Sequence, residues 1–157
     1  MSTPTLHVLA GPDAQLEHAY DASAAAEAQR QRLMRDGAWF ITETVFSHPS
    51  KVALVRQAVA LGYLVHLHVV LVPVDLSVHR VAERVRRGGY DVPEVKTRQR
   101  YDRLWPLITT ARDTADRADF YDNSRAASPF RLVAAYDRGR PVEDTSWPAR
   151  TEAPLID

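Results

Sequence analysis

The chain has 157 residues, 45% of them hydrophobic and 25% charged, which suits a single domain with a sizeable core. Lys and Arg together number 20, as do Asp and Glu, so the formal net charge is zero and gives no case for a nucleic-acid or membrane partner. Cysteine is absent, which excludes disulfides, thiolate zinc sites and cysteine nucleophiles.

The opening MSTPTLHVLAG has no basic region and too short an apolar run for a signal peptide. No apolar run in the sequence is long enough to span a bilayer, so a cytoplasmic location is expected. Thr5–Ala10 reads as a buried strand, stopped by Gly11-Pro12-Asp13. A strand followed by Gly is how phosphate-binding loops begin, because backbone N–H groups then face the anion. Such a loop continues with further Gly residues, then Lys and Ser/Thr. Here Ala14-Gln15-Leu16-Glu17 follow, so the motif is begun and not completed. On the residues alone an ordinary strand-ending turn is the better reading.

Ala14 to Asp36 reads as one long helix, rich in the good formers Ala, Glu, Gln and Arg. Leu16, Tyr20, Ala24 and Leu33 roughly share a face, and Gly37 ends the helix. Trp39-Phe40-Ile41 reads as a second buried strand, with Thr42, Glu43 and Thr44 at its end. A carboxylate at the carboxyl end of a strand faces the crevice where open α/β sheets bind ligands. The plainer reading of Glu43 is a solvated strand end. Ser47-His48-Pro49 open a helix, since Ser or His caps it and Pro suits its first turn. That helix runs from Pro49 to Leu61, with Val52, Val55 and Val59 on its buried side and Gly62 just past its end.

Leu64–Val72, LVHLHVVLV, is the strongest strand. It is apolar at nearly every position, as expected of a central parallel strand covered on both faces. His66 and His68 point to one face at a spacing that suits a metal. No carboxylate in the local sequence completes the set. Two imidazoles packed under a helix, each hydrogen-bonded through one nitrogen, is the simpler reading. No metal site is assigned.

Asp75 is expected to cap the next helix, whose apolar stripe is Val78, Val81, Ala82 and Val85. Gly88-Gly89 break it, and Pro93 starts another helix. Seven arginines and one lysine fall between Arg80 and Arg103. Two arginine-rich helices hinged at a double glycine suit anion recognition, because the planar guanidinium matches phosphate geometry. The alternative is a solvated pair of helices with cations near one C-terminus. Leu104, Leu107 and Ala111 continue the second helix's buried face, and Pro106 should kink it. Phe120–Ser124 reads as a short strand edge and Phe130–Tyr136 as the last strand. Residues 1–140 form the expected domain. Residues 141–157 read as a loosely attached tail with Trp147 as its anchor. Strands alternating with helices predict an α/β domain with a mainly parallel sheet.

The segments ITETVFSHPSK, VHLHVVLVPVDLSVHRVAERVRRGGYDVPE, RYDRLWPL and YDNS resemble the zeta-toxin-like P-loop kinases. The resemblance covers most of the chain from His18 to Trp147, and RV-x-x-GGY-x-VPE at Arg84–Glu94 is its most specific part. It implies a P-loop kinase-like open, mainly parallel sheet with helices on both faces, truncated in its N-terminal part. It also implies ATP, Mg²⁺ and the acceptor UDP-N-acetylglucosamine, the substrates of the family's characterised toxins. By the same resemblance Gly11 and Pro12 open the phosphate loop, and Glu43 and Thr44 face the acceptor. Arg84 or Arg87 and Arg98 or Arg100 match the lid arginines, and Asp122 and Asn123 fall near the nucleotide base. An antitoxin-like protein is the implied macromolecular partner.

The family pattern continues after Gly-Pro with a Gly-rich loop bearing Lys and Ser/Thr, a helix, a second strand and a catalytic Asp. Here the chain passes from Gly11-Pro12-Asp13 almost directly into the helix containing His18. Asp13 is no substitute, because a carboxylate in a phosphate cradle repels the ligand. Two expectations follow: a kinase by descent with residual or lost ATP use, or a non-catalytic module that binds a phosphate or sugar nucleotide, or a protein. Without the loop's helix, the strands need another cover, which predicts self-association or low stability.

Overall fold

Strand β1 (Thr5–Ala10) is paired along both of its backbone edges in the computed structural model, which describes residues 2–12, 20–89 and 91–156. The expected helix from Ala14 and its face residue Leu16 fall partly outside those residues. What is described is α1 (Tyr20–Arg35), followed by β2 (Phe40–Thr44), α2 (Pro49–Ala60) and β3 (Leu64–Leu71). Next come α3 (Val74–Arg86), α4 (Glu94–Thr114), β4 (Arg117–Asp122) and β5 (Arg131–Asp137). The two-residue β6 (Arg140–Pro141) and the short α5 (Ala153–Ile156) complete the order. The six strands form one sheet in the order β2-β1-β3-β4-β5-β6. The first four are parallel, and β5 and β6 are antiparallel. This is the expected α/β fold with a mainly parallel sheet.

One face of the sheet is fully covered. Leu6 and Val8 of β1 and Val65, Leu67 and Val69 of β3 are wholly buried there. They pack with Val52, Leu54, Val55 and Ala58 of α2 and Tyr101, Leu104, Trp105 and Ile108 of α4. Side chains alternate across a strand, and along β3 the alternate positions His66, His68 and Val70 are only half-buried. The expectation of a strand covered equally on both faces therefore gives way. The apolar run hides an alternation, because Leu64 and Val70 stand on the less covered side. Trp39 and Ile41, expected to be buried, are 60% and 69% exposed, since β2 is the edge strand.

The helix ends follow local rules. His48 Nδ1 accepts the Ser50 N–H at 3.1 Å and so caps α2, with Pro49 in the first turn. Gly37, just past α1, adopts a φ of 63°, which favours glycine in closing a helix. Among the described side chains of α1 the buried ones are Arg30 and Met34, one turn apart, whereas Ala24 is exposed. On α2, Val59 is exposed and Leu54 is buried in its stead. Asp75 is not the cap of α3: Pro73 holds that place, and Asp75 lies in the first turn, bonded to Arg98. Helix α4 runs through Pro106. Strand β4 starts earlier than expected and is interior, between β3 and β5, with Phe120 fully buried.

The C-terminal segment is docked, against the expectation of loose attachment. Trp147 packs edge-on to Phe120, with ring centroids 5.2 Å apart. Leu155 is buried against the core. The Tyr101 hydroxyl lies 2.6 Å from the Glu152 carboxylate and 2.9 Å from the Val72 carbonyl. Thr109 donates to the Pro154 carbonyl, and Arg112 donates to that of Leu155.

Candidate functional site

A cavity of about 290 Å³ opens at the carboxyl ends of β1–β4, the position where parallel α/β sheets hold ligands. Gly11, Glu43, Arg80, Asn123, Val70 and Phe130 are among its lining residues. Three of the sequence-selected residues, Gly11, Glu43 and Asn123, thus meet there. Gly11 has a packing reason to be glycine: an added Cβ would lie 2.9 Å from the Val70 carbonyl oxygen. Arg80 donates to the Asn123 carbonyl at 3.1 Å, tying α3 to the end of β4. Arg80 stands out in the sequence only as the first of the seven clustered arginines. A closer signal was present, since Arg80 and Arg84 stand one turn apart on α3 and Arg87 follows just past its end.

The other selected residues are not among the described lining residues of this cavity. Thr44 is buried, and its Oγ1 accepts the Phe46 N–H at 3.1 Å, holding Phe46 at a φ of 64°. Pro12 is buried beside Gly11. Arg84 is half-buried and Arg87, just past the end of α3, is exposed. Arg98 bonds both Asp75 and Glu94 at 2.8 Å, and so joins the first turn of α3 to that of α4. Arg100 carries a buried guanidinium nitrogen, Nη1, with no hydrogen-bond partner among the described residues. Asp122 is buried and accepts from Arg150 at 2.7 Å and from the Ser124 N–H at 3.1 Å, with Arg131 at 3.7 Å.

A second cluster lies on the half-covered face. His7 of β1 stands in register with His66 of β3, and His68 follows two residues on. His7 Nδ1 is 3.0 Å from His68 Nε2, and the His66 and His68 ring centroids are 3.8 Å apart. The carboxylate that the local sequence lacks comes from β4: Asp119 Oδ2 is 2.7 Å from His66 Nε2. Burial, then repulsion from His66 and His7, pushes His68 down to about 4. Burial and His66 also lower His7, so both rings are neutral at physiological pH. Burial alone would raise the Asp119 carboxyl, but bonds from Arg117 and His66 outweigh it and hold it below the ordinary range. The two histidines, expected to pack under a helix, stand among the described residues in a half-exposed trio with His7.

The zeta toxin family model matches residues 10–128. A solved structure from the PezAT chromosomal toxin–antitoxin system of the human pathogen Streptococcus pneumoniae is similar in fold, with a TM-score of 0.62 at 12% identity. The likeness covers 86% of this chain and 72% of that one. No curated protein sequence matches. No helix among the described residues is long and apolar enough to cross a membrane.

Proposed function

The chain belongs to the zeta toxin family, and from that premise we propose that it binds a sugar nucleotide of the UDP-N-acetylglucosamine kind without transferring phosphate to it. The observation that carries this reading is the cavity where Glu43 and Arg80 meet at the strand ends. Glu43 supplies an acceptor for sugar hydroxyls, and Arg80 supplies a cation for the phosphates. The lone Nη1 of Arg100 supports a second anion contact, with Arg84 and Arg98 on the same two helices and Arg87 just past the end of α3. Thr44, Gly11 and Pro12 shape the strand ends, and Asn123 holds the cavity wall through Arg80, while Asp122 bonds Arg150 outside the cavity's described lining.

ATP and Mg²⁺ do not fit this donor set. Phosphoryl transfer depends on charge placed around the phosphates by backbone donors, a lysine and a metal-holding hydroxyl. The stretch Gly11–Glu17 contains neither Lys nor Ser/Thr. Losing a single preorganised donor costs on the order of a hundredfold in rate.

Calorimetry with UDP-N-acetylglucosamine tests the binding. Arg80→Ala and Glu43→Ala are each expected to weaken it about tenfold to hundredfold, the worth of a charge-assisted hydrogen bond. Unchanged affinity in both variants would remove the cavity from the account. Labelled ATP with Mg²⁺ should yield no phosphorylated sugar nucleotide. Product that forms with the wild-type chain and vanishes in Arg100→Ala would restore the kinase.

A protein partner of the antitoxin kind is a second reading. It is favoured by Ile41 on the edge strand and Trp39 just before it, both of which stand exposed.

A further inference from the structure

We propose that His7, His66 and His68 bind a divalent transition-metal ion of the zinc, cobalt or nickel class on the half-covered face of the sheet. The three residues stand on neighbouring strands in fixed register, so the backbone ladder and not a loop sets their spacing. One nitrogen from each lies within 4.8 Å of the others. Zinc–imidazole bonds of about 2.0–2.1 Å in tetrahedral geometry place ligand nitrogens roughly 3.3 Å apart. His7 Nδ1 and His68 Nε2 are at 3.0 Å. Two ring nitrogens at that distance share either a proton or a cation.

The surroundings match what a bound imidazole needs. Metal-ligating histidines commonly give their other ring N–H to a carboxylate, which fixes tautomer and orientation. Asp119 does this for His66 at Nε2, leaving Nδ1 as the ring's free nitrogen. Arg117 in turn holds Asp119 at 3.1 Å. Imidazole ligands without thiolate or clustered carboxylates favour zinc, cobalt or nickel over magnesium or calcium. Three nitrogens leave a fourth position, and a cavity of about 400 Å³ lined by His7, His68, Ile41, Tyr121 and Phe130 lies beside it. A water or a small anion would complete the set there.

The full chain, stripped with chelator and titrated with Co²⁺, provides the test. We expect one equivalent to bind, with visible absorption bands of a low-coordinate site, and Zn²⁺ to displace it. His68→Gln and His7→Gln should each abolish the bands. Asp119→Asn should weaken binding about 10–100-fold, as loss of an orienting carboxylate does. His48→Gln and His79→Gln, outside the cluster, should bind as the wild type does. Far-UV circular dichroism establishes that each variant is folded. Zn²⁺ should raise the melting temperature of the wild-type chain and not that of His68→Gln. Absence of saturable one-equivalent binding, or binding undiminished in both His68→Gln and His7→Gln, would overturn the proposal.

Discussion

Asp122 is a buried carboxylate whose partners are all supplied by this chain: Arg150, Arg131 and the Ser124 backbone. Removing it strands the Arg150 guanidinium and an N–H that the carboxylate satisfied. Asp122→Ala is therefore expected to cost about 2–3 kcal/mol, the scale of hydrogen bonds to a charged group, read from urea denaturation. A stability within error of the wild type would mean that Arg150 finds another acceptor. The histidine cluster shows what was legible at this scale. His66 and His68 declared a common face by their spacing, but His7 and Asp119 arrive through strand pairing. The repeated Leu-His-Val in Leu6–Val8 and Leu67–Val69 was the available hint, because both copies lie in neighbouring parallel strands. Only the register could show that His7 reaches both of the others.

At the level of elements, helix ends were the readable part, since a glycine with left-handed φ or a proline in the first turn acts locally. Strand environments were less so. Burial on one face or both depends on what the rest of the chain lays over the sheet, which a run such as LVHLHVVL does not encode. The docked tail is a further case: four-residue α5 has no periodicity to betray it, yet Leu155 fills a place beside α4. Leu155→Ala should destabilise the domain by roughly 2–4 kcal/mol through the cavity it leaves. Thermal melting measures the loss. Limited proteolysis should find 148–156 cut first in this variant, whereas a melting temperature like the wild type's would mean that α5 contributes nothing to the core.

For the molecule as a whole, two of the most exposed apolar side chains, Ile41 and Trp39, lie where the sheet stops. Ile41 and Trp39 mark the β2 edge, and an unpaired edge strand with apolar side chains is a template for another chain. Sedimentation velocity over a range of concentrations should show self-association of the wild-type chain. Ile41→Lys should reduce it, because a lysine at an edge opposes strand addition. A wild-type chain that sediments as a monomer throughout would show that the edge is protected.

The strand order carries a consequence for biosynthesis. Both neighbours of β1, β2 and β3, follow it along the chain and are made after it. Parallel partners cannot close through a tight turn; each needs a crossover to be completed first. Leu6, Val8 and Ala10 therefore leave the ribosome as an extended apolar segment with nothing to pair with until Phe40–Thr44 emerges on one side and Leu64–Leu71 on the other. Through that interval a segment whose Leu6, Val8 and Ala10 end up buried is open to capture by chaperones or by other nascent chains.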